Sequence, residues 1–106
     1  MSNAEEYSQS AELISGHEEL IRKLLLQLNK DLIVDLFQFP ESNFEKIADL
    51  IEAILIEKQN DLGRLLYQID IDERLVEGVS DFKTLSYIIL EREAKKVLFR
   101  DQYKNG

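Results

Sequence analysis

Between Ser42 and Ile69, the apolar residues Phe44, Ile47, Ile51, Ile54, Leu62, Leu65 and Ile69 recur at steps of three and four. Lys58 stands where the step would place one more. This spacing lines one face of a helix, and a helix over 42–69 would be about 40 Å long at 1.5 Å per residue. An apolar face of that length has to be covered, so the pattern predicts a bundle with 42–69 as its spine. Ser42 and Glu45 have the spacing of a capping box that opens this helix. Gly63 lies inside it at a cost of ~1 kcal/mol relative to alanine, and reads as a point of close helix approach or slight bending. Lys58 fits the stripe if its stem lies along apolar surface while the ammonium reaches water.

Two further segments match that length. Ser15 and Glu18 form a second capping box, followed by Leu20, Ile21, Leu24, Leu25, Leu28 and Leu32 at helical spacing. This predicts a helix over 16–35. Residues 36–40 precede and include Pro40, which disfavours helical geometry before it; they read as an extended connector with Phe37 and Phe39 tucked under the bundle. Asp70 and Glu73 open a short helix over 71–77, and Gly78 suits its end. Ser80 or Asp81 caps a last helix over 81–103, which turns Phe82, Leu85, Ile89, Leu90, Ala94, Val97 and Leu98 inward. Glu91 and Lys95 stand four apart on it, in the favourable order for a pair. Residues 1–14 are polar and weakly patterned, and are expected to be a flexible lead into a single domain over 15–106. The expected fold is therefore all-α: a compact bundle of three main helices (16–35, 42–69 and 81–103) plus the short helix 71–77.

Composition narrows the function classes. The absence of cysteine removes disulfides, thiolate metal sites and cysteine nucleophiles, and suits a cytoplasmic protein. Residues 1–10 lack the cationic start and apolar stretch of a secretory signal. Apolar runs are far shorter than the ~20 residues of a membrane span. Net charge is −8, unevenly spread. From 92 to 104, Arg92, Lys95, Lys96, Arg100 and Lys104 face only Glu93 and Asp101, a local +3 that leaves −11 for the rest. A body so acidic disfavours nucleic-acid binding, which needs clustered cations. The basic stretch has a structural reading too, since cations complement the C-terminal end of a helix dipole.

No residue pattern here carries catalysis with specificity. Asp70, Asp72 and Glu73 are the densest acidic group, but lack the glycine and glutamate spacing of a calcium loop and read as helix caps. His17 is the single histidine and reads as a first-turn residue, because a triad or metal site needs partners it lacks. The glycines, at 16, 63, 78 and 106, are too scattered for a phosphate loop. No cofactor or metal is expected. Tyr67 with Asp70, and Tyr87 with Arg92, read as polar contacts where the long and last helices meet. A small-ligand or enzyme pocket near Tyr67, Asp70 and Arg92 is the alternative.

The favoured reading is a non-enzymatic interaction module. Arginine with exposed aromatic residues is typical of interface cores, which makes Arg92, Lys96, Phe99, Arg100 and Tyr103 the candidate interface. A protein partner or a second copy would dock there. An acidic inhibitor imitating nucleic acid is a third reading, requiring carboxylates aligned on one face.

Three stretches bear on kinship: Leu25-Leu26-Gln27-Leu28-Asn29-Lys30-Asp31-Leu32, Leu65-Leu66-Tyr67-Gln68-Ile69-Asp70-Ile71, and Ile88-Ile89-Leu90-Glu91-Arg92-Glu93 with Lys96 following. Together they resemble a set of small, uncharacterised bacterial proteins of Bacteroidetes type, over residues 20 to 100. Those sequences favour arginine where Gln68 stands and glutamine where Glu93 stands. The resemblance implies an all-helical protein without a catalytic residue to carry over.

Overall fold

The computed structural model describes residues 9–39, 41 and 43–105. Its helices are α1 (Gln9–Ile14), α2 (Glu18–Leu32), α3 (Phe44–Glu57), α4 (Leu62–Ile69), α5 (Glu73–Val76) and α6 (Phe82–Asn105), with a 3-10 turn at Gln59–Asp61 between α3 and α4. Strands are absent among the described residues, so the all-α expectation holds.

The spine is the last helix. α6 packs along α1, α2 and α3 and also touches α4 and α5. Ile88, Ile89 and Leu90 are at most 2% exposed. Consecutive helical positions point ~100° apart, so three buried in a row mean that α6 is walled in around much of its girth.

The segment 42–69 is two helices instead of one. Its break falls at Lys58–Asp61, beside the one apolar position the stripe lacks. Gln59, Asn60 and Asp61 are all exposed, and asparagine and aspartate readily exchange helical hydrogen bonds for local ones. Here Gln59 Nε2 donates to Ile56 O and Asp61 N to Lys58 O, at 3.0 and 2.8 Å. The turn lets the two halves of the stripe face different neighbours: α3 packs on α6, and α4 on α2 and α6. Gly63 is neither the break nor a close approach, because a Cβ built there meets nothing within 4 Å.

Lys58 does not merely reach for water. Its Nζ donates to Leu32 O at 3.0 Å, capping the C-terminal end of α2, where a cation also complements the dipole. α2 ends at Leu32, short of the expected 35, because Ile33 turns left-handed at φ 57°. Asn29 then fastens the connector: its Oδ1 accepts from Leu36 N and Phe37 N, and its Nδ2 donates to Phe37 O, all within 3.1 Å. Phe37 is buried as expected, whereas Phe39 stays partly exposed under the guanidinium of Arg22, 3.8 Å from its ring centre.

Several caps differ from those expected. Ser15 does not cap α2; its N–H closes α1 on Glu12 O, Gly16 turns at φ 86°, and exposed His17 is the N-cap residue with no side-chain bond. Asn43 caps α3 by accepting from Glu45 N and Lys46 N; Ser42 lies outside the described residues. Asp72 rather than Asp70 starts α5 by accepting from Arg74 N; of the two candidates named for α6, Asp81 is the cap, accepting from Thr84 N and Oγ1. The packed chain also begins before residue 15. α1 lies on α6 with Ile14 fully buried. Ser10 donates through both its N–H and Oγ to Glu91, at 2.6 and 2.5 Å, so Glu91 is engaged there instead of with Lys95.

Candidate interaction surface

Four residues apart on α2, Gln27 and Asp31 share a face, and Gln27 Nε2 donates to Asp31 Oδ2 at 2.9 Å. On α6, Glu93, Lys96 and Arg100 recur at steps of three and four and turn toward them. Lys96 Nζ donates to Asp31 Oδ2 at 2.7 Å and lies 3.1 Å from Glu93 Oε2. Arg100 Nη1 donates to Gln27 Oε1. The α2–α6 seam is thus polar inside, with Gln27 and Asp31 each 6% exposed and Glu93 fully buried.

Glu93 and Asp31 cannot both be comfortably ionised beside a single ammonium. As a carboxylate, Glu93 finds no hydrogen-bond donor for either oxygen, since Lys96 approaches off the bonding line. Burial first, and then the neighbouring Asp31, push the Glu93 carboxyl up to about 8. Burial also works against a charged Asp31, but hydrogen bonds from Glu93, Lys96 and Gln27 outweigh it and hold Asp31 below the usual carboxylate range. Burial and the single ammonium thus favour one shared proton on the Asp31–Glu93 pair over two charged carboxylates.

Outside this seam lie two shallow grooves that meet at Arg100. One, of about 360 Å³ between α2 and α6, is lined by Lys23, Leu26, Gln27, Lys30, Val97, Arg100 and Asp101. The other, of about 400 Å³ along α6, is lined by Arg92, Lys95, Lys96, Phe99 and Arg100. Among the described residues, six cations and one carboxylate line them. Arg92, Lys96 and Lys23 are matched by Asp70, Asp31 and Asp101. Lys30, Lys95 and Arg100 have no carboxylate partner among the described residues, and Leu26 and Phe99 stand between them at 68% and 58% exposure.

Four residues of the expected interface, Arg92, Lys96, Phe99 and Arg100, therefore line one groove. Tyr103 is on α6 with its side chain outside those described. The α2 half of the surface, and the buried acids beneath it, were not anticipated. Their signal was present: Gln27, Asp31 and Glu93 each sit within the apolar stripe of their helix, where a polar residue needs a buried partner.

Tyr67, Asp70 and Arg92 do not converge. Arg92 binds the Asp70 carboxylate and carbonyl, both at 3.1 Å, beside a groove shared with Asp72, Leu75 and Glu91. Tyr67 points away and is 88% exposed. Tyr87 faces Lys83 rather than Arg92, with the ammonium 5.7 Å from its ring centre. Asp70 ends α4 in a left-handed turn at φ 66°, and Asp72 is occupied by the Arg74 side chain, which holds its carboxyl below the usual range. Among the described residues, no three His, Asp or Glu side chains gather as a metal ion requires. No described helix is long and apolar enough to cross a membrane. No protein-family model, curated protein or solved structure matches the chain.

Proposed function

We propose that the chain is a non-enzymatic, cytoplasmic interaction module whose working surface is the basic seam of α2 and α6 and whose partner is an acidic protein surface. The supporting observation is the gathering of six cations and a single carboxylate around exposed Leu26 and Phe99, on a chain of net charge −8. Apolar anchors inside a charged rim are the make-up of a protein interface, and opposite potentials steer and orient docking. A second copy supplies such a partner, because the chain carries net charge −8 and, among the described residues, only Asp101 of its carboxylates lines this surface. Those carboxylates also repel a phosphate backbone, so nucleic acid is not the expected partner.

Sedimentation velocity across protein concentration, at low and high salt, tests the reading. Association that grows with concentration, weakens with added salt and is lost in Lys95→Glu/Arg100→Glu is the expected result. A monomer at every concentration and salt would overturn self-association through this surface.

A further inference from the structure

We propose that the buried Asp31–Glu93–Lys96 triad is a proton-operated latch on this surface: with its proton in place Arg100 stays exposed at the seam's edge, held by Gln27, and loss of the proton draws its guanidinium deeper toward the acids. The effect on docking rests on the proposed interaction role; the latch itself does not.

The geometry limits the triad to one excess proton state. Lys96 offers one positive charge and is already committed to Asp31 at 2.7 Å, so a neutral Glu93 leaves the buried group balanced. Ionising Glu93 leaves two carboxylates against one ammonium in a buried seam, where an unmatched charge is strongly disfavoured. The charged groups that bear on Glu93 are Asp31 from α2 and Lys96 from α6. The helices α1, α3 and α4 contribute apolar side chains to the core, including Ile14, Ile54 and Leu65. Relief comes from a second cation within reach. Arg100 is one such cation: it lies about two turns beyond Glu93 on α6 and is hydrogen-bonded to Gln27, which itself holds Asp31. It has no carboxylate partner to give up among the described residues, unlike Arg92 or Lys23. Because Arg100 lines both grooves, its withdrawal removes the cation at their meeting point. Docking of an acidic partner should then be tight while Glu93 holds its proton and weak once it is lost. The burial of Glu93 places this change near pH 8.

Two measurements test the latch on the full chain and on Glu93→Gln, which keeps a neutral donor toward Asp31. Carbon NMR of the Glu93 carboxyl, with hydrogen exchange of the Arg100 Nε–H corrected for intrinsic pH dependence, reads the latch directly. A Glu93 titration near the mildly alkaline range, with slower Arg100 exchange above it and no such change in Glu93→Gln, is expected. A Glu93 already ionised at neutral pH, or Arg100 exchange that ignores its titration, overturns the proposal whether or not the protein associates. Sedimentation at about pH 7 and about pH 9 reads the consequence, with up to about tenfold weaker association of the wild type at the higher value and none of that loss in Glu93→Gln. Equal weakening in both proteins overturns the regulatory role but leaves the interaction surface standing. Absence of association at any pH counts against the surface, and the NMR result alone then decides the latch.

Discussion

Asn29→Ala is expected to loosen the chain between α2 and α3, and the size of the effect follows from its hydrogen bonds. The side chain makes three: Oδ1 accepts from Leu36 N and Phe37 N at 3.1 and 3.0 Å, and Nδ2 donates to Phe37 O at 2.9 Å. The Leu36 amide is exposed and can turn to water, so its loss costs little. Both Phe37 groups are partly buried behind a ring that is 4% exposed, and each orphaned group costs about 1–1.5 kcal/mol. Alanine returns roughly 0.5 kcal/mol, since it favours the helix more than asparagine does. The net loss is about 2 kcal/mol. With a urea dependence of about 2 kcal/mol per molar for a domain of this size, the unfolding midpoint should fall by about 1 M. Asn29→Asp retains acceptors for the two N–H groups but sets a carboxylate against Phe37 O, so it should fall between wild type and alanine. An Asn29→Ala midpoint within about 0.2 M of wild type, a difference below ~0.5 kcal/mol, would refute the assignment of Asn29 as the clamp on this connector.

Stability should depend on pH in an unusual direction. The Glu93 carboxyl is raised from 4.5 to about 8, so its contribution is complete below about 4.5 and is lost as pH climbs toward 8, at up to about 1.4 kcal/mol per unit. Asp31 is lowered, so its contribution is present above the ordinary aspartate range and lost as pH falls through its folded value. Urea midpoints should therefore decline from about pH 5 to about pH 8 in the wild type, and Glu93→Gln should flatten that decline; superimposable profiles would contradict it. Gly63→Ala should stabilise by roughly 0.5–1 kcal/mol, because the position is helical and open, and thermal melts would show a raised midpoint. Lys58→Met should keep the packed stem but lose the bond to Leu32 O, costing about 0.5–1.5 kcal/mol by urea unfolding; an unchanged midpoint would remove Lys58 as a cap.

What the sequence made legible was periodicity, which belongs to single helices. The stripes at 20–32, 44–69 and 82–98 locate α2, the α3–α4 pair and α6 because burial on one face leaves a regular imprint. Their hierarchy was not legible. The stripe over 42–69 stays in register across a turn, so a continuous helix and a broken one share nearly the same spacing, with Lys58 as the sole gap. Caps were misplaced by one or two residues at Ser42-Asn43 and Asp70-Asp72, and left open between Ser80 and Asp81, since spacing rules alone do not choose between neighbours. α1 was undervalued because six residues show too little of a helical period, and its docking depends on Glu91, distant in the chain. The candidate surface was half visible: the α6 residues lie close together in sequence, whereas Lys23, Leu26 and Lys30 join them only after α2 is laid alongside. Asp31 and Glu93 are 62 positions apart, and their shared proton is a property of the contact.

That the central helix is also the last described one has a consequence for biosynthesis. Translation proceeds at about 5–20 residues per second, so α1, α2 and α3 emerge seconds before the element they pack on. Until Phe82–Asn105 follows, α3 lacks the helix it chiefly packs on, and α1 and α2 lack a main neighbour. The described bundle therefore closes only once α6 has been made. A nascent chain stalled before residue 82 should remain a client of chaperones and proteases rather than a partly finished domain.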